Sequence, residues 1–319
     1  MLAVTANSFS ETDPLAGLTV GDVAEPDAPA GWVRVAVKAA ALNHHDLWSL
    51  RGVGLRAEQL PMILGCDAAG VTDDGREVVV HAVVADPDGD ETMDPGRTLL
   101  SEKYQGTFAE YVWVPARNLV PKPPALSWEE AACLPTAWLT AYRMLFTMSG
   151  LQPGGRVLVQ GAGGGVSTAL VALARVAGYV VYVTSRDATK RERAVELGAH
   201  AAFESGARLP ERVDAVMETV GAATWDHSLK SLEPGGTVVV AGATSGAEPP
   251  ADLRRVFFRQ LRIVGSTMGT RGELARLLRF LDATGIRPLV DSVRPLSEAR
   301  ASFERLNSGD SFGKLVLTP

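Results

Sequence analysis

The amino-acid sequence predicts an α/β protein, in which a doubly wound parallel sheet is joined to a mostly antiparallel, β-rich domain. Three features carry this. Residues 156–186, RVLVQGAGGGVSTALVALARVAGYVVYVTSR, read as strand, glycine turn, helix and second strand. Beyond them, short β-branched runs alternate with helical stretches, the pattern of a parallel sheet with crossover helices. Residues 1–119, by contrast, hold short strands with turn punctuation and no such alternation.

In chain order, Trp32–Ala39 alternates apolar and polar residues only in part, as a half-buried strand does. Glu77–Val84 is a second strand, preceded by the turn Asp73-Asp74-Gly75, and Phe108–Val114 is a third. The polar segment Asp86–Tyr104, DPDGDETMDPGRTLLSEKY, is expected to be a surface loop. Pro121-Lys122-Pro123-Pro124 breaks the chain as a linker. Ser127-Trp128-Glu129-Glu130 supplies a capping box, and Pro135 is expected to end or kink the helix it starts. A second helix is expected from near Thr136 to Met148.

Val157–Val159 is then a buried strand, followed by a helix to about Ala177, a stop at Gly178 and a strand over Tyr179–Val183. Asp214–Glu218, Gly236–Val240 and Leu261–Gly265 are further parallel strands, the last after a short helix over Leu253–Gln260. Leu274, Leu277, Leu278 and Leu281 fall on one helical face. After Pro288 short strands return, ending in Gly313–Leu317. The expected domains are therefore 1–119 with 288–319, catalytic and β-rich, and 120–287, which binds a dinucleotide.

A chain of 319 residues defaults to two domains. Its 46% apolar and 21% charged residues are those of an ordinary globular protein. The formal charge of −6 argues against nucleic acid or an anionic membrane as partner. Cys66 and Cys133 are the only cysteines, which excludes a disulfide framework and suits a reducing compartment. The opening MLAVTANSFSETDPL lacks the pattern of a signal peptide, and no apolar run approaches a membrane span. A cytoplasmic location is expected.

The glycines at 161–165 lie where a buried strand turns into a helix. There a dinucleotide's pyrophosphate can sit on free backbone N–H groups, as in a Rossmann unit. A flexible glycine-rich loop would lack the flanking strands.

Several segments together resemble the medium-chain dehydrogenase/reductase superfamily. They are Ala40-Ala41-Leu42-Asn43-His44-His45-Asp46, Leu64-Gly65-Cys66-Asp67-Ala68-Ala69-Gly70, the glycine turn, Leu197-Gly198-Ala199 and Gly313-Lys314-Leu315-Val316-Leu317. The resemblance covers essentially the whole chain and implies a GroES-like catalytic domain beside the Rossmann domain. Zinc-dependent members carry Cys-His-Thr-Asp where Asn43-His44-His45-Asp46 stands, and Gly-His-Glu where Gly65-Cys66-Asp67 stands. Their third ligand, a cysteine, aligns with Thr136, with Thr140 as the threonine four residues on. One remaining thiol cannot make the three-ligand site of catalytic zinc. The family's structural zinc cysteines are missing as well. The implied branch is the zinc-free one similar to quinone oxidoreductases, with no metal ligand.

That branch's Ala-x-Gly-x-x-Gly is matched by Ala162-x-Gly164-x-x-Ser167, with serine for the last glycine; an offset reading centres on Gly161 and Gly163. Gly165 and Val166, which open the helix, join Ala162 and Gly164 as cofactor-binding residues, and Thr140 and Lys314 join them by resemblance. At the tip of the second strand, where NAD-binding units place an acid, the resemblance puts Ser185. Arg186 follows, with Lys190 and Arg191 one turn on. A hydroxyl with cationic neighbours suits a 2′-phosphate, so the expected cofactor is NADPH. Val220-Gly221, Gly242-Ala243 and Ser266-Thr267 follow strand ends and are expected beside ribose or nicotinamide.

Without a Lewis acid, a quinone or α,β-unsaturated carbonyl is the easier small-molecule substrate, because conjugation spreads the charge that hydride delivery creates. Asn43 and Thr136 line the nicotinamide side by resemblance. His45, aligned with the proton-relay threonine of zinc enzymes, is the expected donor. Two other readings stay open: a zinc-dependent alcohol dehydrogenase with a rearranged ligand set (His44, His45, His81, Asp67, Cys66), and a non-catalytic NADPH-binding protein. Leu261–Met268 is expected as the last strand of the sheet, paired in a homodimer.

Overall fold

The computed structural model describes residues 1–86 and 90–319. The chain divides into two units, Met1–Leu139 with Gly269–Pro319, and Thr140–Met268. Residues 120–139 and 269–287 thus belong to the first.

In the first unit the strand Trp32–Ala41 pairs antiparallel with Asp67–Thr72, Tyr111–Pro115 and Lys314–Thr318. Its alternation fades because Ala39, Ala40 and Ala41 are all buried, and its register with Asp67–Thr72 shifts between Val37 and Ala39. Such a bulge adds twist and re-aims the residues beyond it. Gly70 is required opposite: a Cβ there would lie 2.2 Å from the Ala36 carbonyl oxygen. The sheet continues outward through Glu77–Val80 to Leu119–Pro121 on one side. On the other, Lys314–Thr318 leads to Val290–Pro295, a parallel pair. A smaller sheet centres on Leu2–Ala6, between Leu18–Asp22 and Met62–Ile63.

The segment expected as a surface loop, 86–104, is more than that. Residues 87–89 lie outside the described residues, but Thr98–Leu99 pairs with Val83–Val84, and Leu100 and Ser101 are fully buried. The leucines in TLLSEKY give this polar stretch apolar side chains to bury. The helix after Ser127 follows expectation in its start and its break. Ser127 Oγ accepts from Glu130 N (3.2 Å) and Glu130 returns the bond to Ser127 N (2.9 Å), so the capping box is present. Pro135 marks the expected break: the α-helix Trp128–Ala132 stops at its cap Cys133, and a second helical stretch runs on to Met148. The turn widens to π-helical over Leu134–Trp138, continues as α-helix over Leu139–Tyr142 and widens again over Arg143–Met148. Proline lacks an N–H and clashes with a preceding carbonyl, and a wider turn accommodates both.

The second unit is a six-stranded parallel sheet. Its spatial order is Ala201–Phe203, Val180–Thr184, Arg156–Gln160, Val213–Glu218, Leu232–Val240 and Arg262–Gly265. In chain order this is 3-2-1-4-5-6, the doubly wound Rossmann arrangement. The helix Gly165–Val176 buries Ser167 through Ala174 without interruption, which explains its alanine-rich, apolar composition. At the far edge, Arg262 and Ile263 are exposed beside Phe257 and Phe258, whose stacked rings are 65% and 73% exposed.

Candidate active site

In the first unit, the strand Trp32–Ala41 ends where the helix His44–Leu50 begins, and Asn43 caps that helix in extended conformation. Asp46 accepts from Asn43 N at 2.8 Å and Gly65 N at 3.1 Å, tying the helix start to the segment carrying Cys66. Burial pushes the Asp46 carboxyl up to about 7, against the pull of those two amides. Asp67, fully buried, accepts from Asn43 Nδ2 (2.9 Å) and Thr136 Oγ1 (2.5 Å). Lys314 Nζ donates to Leu42 O and Asn43 Oδ1, both at 2.6 Å, and lies 3.4 Å from Asp67 Oδ2. Cys66 Sγ stands 3.4 Å from Thr136 Oγ1 and 3.7 Å from Asn43 Nδ2. Burial drives the Cys66 thiol well above its usual pKa, with Asp67 and Asp46 adding to the shift. Asn43, Cys66, Asp67, Thr136 and Lys314 therefore form one hydrogen-bonded cluster. In it the thiol is protonated, and the amide and the Thr136 hydroxyl are committed to their neighbours.

His45 is half-buried, with Nε2 3.4 Å from Ser101 Oγ and 4.0 Å from Glu102 Oε1. Burial lowers its pKa, and Glu102 and Asp67 pull it partly back, so the imidazole is neutral at pH 7. His81 is buried and spends Nε2 on Gly269 O at 2.8 Å. Ser101 and Glu102 lie in the segment read from sequence as a loop, where only the leucines beside them hint at burial.

In the second unit, Gly161 closes the first strand with φ +85°, Ala162 is buried, and Gly164 is the extended N-cap of Gly165–Val176. Gly165 and Val166 thus form the first turn, whose N–H groups have no partner within the helix. Ser167 is accommodated by turning Oγ back onto Gly164 O at 3.0 Å. A Cβ on Gly164 would meet only Ser167 Oγ, at 3.7 Å. Ser185 follows the second strand; its Oγ accepts from Asp187 N (3.2 Å) and its carbonyl from the Arg191 guanidinium (2.7 Å). Asp187 caps the next helix by accepting from Lys190 N (3.0 Å). The Asp187 carboxylate is thereby occupied, and Arg186 is exposed.

Val220 N and Gly221 N donate to Glu218 Oε1 at 2.7 and 3.0 Å. Gly221 (φ +90°) is obligatory, since a Cβ would lie 2.4 Å from Gly246 O. Gly242 packs against Thr219 O, and Ala243 O accepts from Gly246 N at 3.1 Å. Ser266 N donates to Val240 O at 2.8 Å, Thr267 is exposed and Thr140 is buried.

Sequence reasoning missed the polar layer beneath these loops. Glu218, with no exposure, also accepts from Thr224 Oγ1 (3.0 and 2.9 Å) and Ser228 Oγ (2.6 Å). Gln160 accepts from Thr184 Oγ1 (2.5 Å) and donates to Ser228 Oγ and His227 Nδ1. The available signal was that three apolar strands, 156–160, 180–184 and 213–218, each end on a polar residue.

Two family models match the chain: an alcohol dehydrogenase GroES-like domain over residues 29–124, and a zinc-binding dehydrogenase over 165–283. An acryloyl-coenzyme A reductase of Metallosphaera sedula is 31% identical, over 95% of this chain and 96% of its own. The chain belongs to the medium-chain dehydrogenase/reductase superfamily. A crotonyl-CoA carboxylase/reductase of Cereibacter sphaeroides is 27% identical over 92% of this chain and 81% of its own. Among solved structures, an NAD-dependent alcohol dehydrogenase shares 35% identity over the full length of both chains, with a TM-score of 0.91. A cobalt- and zinc-bound alcohol dehydrogenase of Pyrobaculum aerophilum shares 30%, covering 100% of this chain and 99% of its own, with a TM-score of 0.90. The chain is accordingly an oxidoreductase of this superfamily. No described helix is long and apolar enough to cross a membrane.

The donor set in the first unit does not fit zinc. A protonated thiol, a committed amide and a committed hydroxyl stand at the ligand positions, with an ammonium 2.6 Å from the amide oxygen. Among the described residues, no three His, Cys, Asp or Glu are grouped to hold a metal. Catalytic zinc needs three anionic or imidazole ligands and an open position. Purified protein is expected to carry well under one zinc per chain by elemental analysis, and a chelator to leave turnover unchanged. Stoichiometric zinc lost on Cys66→Ser would contradict this.

Proposed function

We propose that this oxidoreductase is an NADPH-dependent reductase of a quinone or α,β-unsaturated carbonyl, working without zinc. The observation that carries the reading is the internally satisfied cluster of Asn43, Cys66, Asp67, Thr136 and Lys314, where the zinc-dependent relatives hold their metal. A site with no Lewis acid favours a conjugated substrate, whose developing charge is delocalised. When bound, NADPH supplies the hydride. The chain's own residues orient the substrate, exclude water and deliver a proton, contributions that can carry much of a rate enhancement. Asn43 and Thr136 shape the wall of the site, and His45, whose polar atoms are less committed, gives the proton. The acryloyl-coenzyme A reductase relative favours conjugated thioesters within this class.

The reading is tested by following NADPH oxidation over quinones, enones and enoyl thioesters. Turnover is expected on at least one conjugated class, with saturated ketones inert; turnover on simple ketones or alcohols alone would reverse the assignment.

Preference for NADPH is attributed to Ser185, Arg186 and Lys190, with Asp187 diverted to its helix cap. A charge-assisted hydrogen bond contributes about 1.5–3 kcal/mol, roughly tenfold to a hundredfold in affinity, and solvent exposure keeps the effect toward the lower end. Arg186→Ala is expected to weaken NADPH and leave NADH nearly unchanged. Ser185→Asp should invert the preference, because a carboxylate accepts from a ribose hydroxyl and repels phosphate. Titrating both cofactors against the three proteins decides the matter; equal weakening of both by Arg186→Ala would remove the assignment.

The edge strand Arg262–Gly265 and the exposed Phe257–Phe258 pair support assembly as a homodimer. An unpaired edge beside exposed aromatics is a liability unless covered. Sedimentation at micromolar concentration should give a dimer, and Ile263→Lys should shift it toward monomer. Buried, unpaired Cys66 and Cys133 suit a reducing, cytoplasmic compartment.

A further inference from the structure

We propose that Ser101 is a positioning residue that fixes the tautomer of His45, donating its hydroxyl proton to Nε2 so that Nδ1–H is the group given to substrate. This rests on the reduction proposed above.

Ser101 is one of three non-glycine residues with positive φ among those described, at +68°, and its side chain is fully buried. Left-handed backbone is uncommon for serine and persists only where its surroundings impose it. Here they do. Ser101 N donates to Tyr104 O (2.9 Å), and Glu102 N to Leu99 O (3.2 Å). Glu102 Oε2 accepts from Leu99 N (2.8 Å) and Thr98 Oγ1 (3.0 Å). The turn is held from several sides, and what it delivers is one hydroxyl to one imidazole nitrogen.

Among the described residues, Ser101 Oγ has no hydrogen-bond partner other than His45 Nε2. A buried hydroxyl ordinarily donates to whatever acceptor it has. Glu102 Oε1, at 4.0 Å from Nε2, is beyond hydrogen-bond reach, so the hydroxyl is the group in contact. In a neutral imidazole, accepting at Nε2 places the proton on Nδ1, which has no protein partner among the described residues. The acids that face the ring are Glu102 and Asp67, the latter committed to Asn43, Thr136 and Lys314.

The proton balance closes through this arrangement. As the Nδ1–H bond breaks and the new bond to substrate forms, Nε2 takes the Ser101 hydroxyl proton. The half-buried ring, whose side chain is 18% exposed, then takes a proton from water or buffer acid at Nδ1 and returns the Nε2 proton to the Ser101 oxygen, which restores the starting tautomer. One proton is drawn from solvent per turnover, and no other reactant is needed.

The test is nitrogen NMR of histidine-labelled protein without substrate, with His45 identified among the five histidines by its loss in His45→Asn. Wild type should show Nδ1–H at His45. Ser101→Gly, which suits the left-handed backbone, should shift His45 toward Nε2–H. It should also lower kcat by about tenfold or more at unchanged KM for NADPH. Ser101→Ala should do the same. A wild-type ring already protonated at Nε2, or one unchanged in Ser101→Gly, overturns the proposal. So does an effect in Ser101→Ala that is absent from Ser101→Gly, since that would report backbone strain. If the tautomer shifts as expected but no conjugated substrate is reduced, the Ser101–His45 lock stands and the reductase reading falls.

Discussion

The ammonium of Lys314, 3% exposed, lies 3.4 Å from a carboxylate of Asp67 that has no exposure. Taking two charges out of water costs several kcal/mol per ion, which only good geometry and further hydrogen bonds can offset. Both ions have them: Lys314 spends two donors on Leu42 O and Asn43 Oδ1, and Asp67 accepts from Asn43 and Thr136. Removing either partner would leave the other charge buried alone, a loss of about 3–5 kcal/mol in comparable pairs. The arrangement depends on topology. Lys314 opens a strand that pairs beside Trp32–Ala41, so a residue near the C-terminus reaches one at position 43. The pair also sets the site's chemistry, because its cation is part of the protein.

The same constraint recurs in the second unit without a counter-charge. Glu218 is buried at the end of a central strand and is stabilised by neutral donors: two backbone amides and the hydroxyls of Thr224 and Ser228. Two of these donors are Val220 N and Gly221 N, so the carboxylate fixes the loop that follows the strand. Gln160 and Thr184, at the ends of the adjacent strands, extend the layer. A loop held this way presents its backbone at low entropic cost, which is what a cofactor-binding loop requires.

Much of this was legible in the sequence where local chemistry decides. The glycine turn was, because Gly161 needs a left-handed φ and a helix N-terminus follows it. The Ser127–Glu130 capping box was, because it is complete within four residues. The break at Pro135 was legible, because proline's local rule stops the α-helix ahead of it; the π-helical turns beyond were not, because that rule says nothing of a π-turn. Ser101 and Glu102 were hidden, because what places them is the pairing of Thr98–Leu99 with Val83–Val84, which no local pattern announces. The Glu218 layer was hidden for a related reason. A polar residue at a strand end looks alike whether it faces water or buried hydroxyls, and only strand order brings Gln160, Thr184 and Glu218 side by side.

Hydrogen-bond commitment also constrains the reaction more tightly than residue identity does. A threonine and an asparagine in an active site suggest two donors for a developing oxyanion. Here the Thr136 proton goes to Asp67, and the Asn43 amide protons go to Asp67 and Ala41 O. Recruiting either for substrate would strip a donor from a buried carboxylate, which costs more than one new hydrogen bond returns. The cluster therefore acts as a rigid, preorganised wall, and in the proposed reduction proton delivery falls to a side chain outside it. His45 is the side chain proposed for that role, with a neutral ring and one nitrogen engaged by Ser101. On that proposal, a site with one mobile proton and no metal is poorly suited to ionising an alcohol, which calls for strong stabilisation of an alkoxide. It is well suited to a substrate that receives hydride and proton at separate atoms of a conjugated system, which is why the committed hydrogen bonds favour reduction of such a substrate.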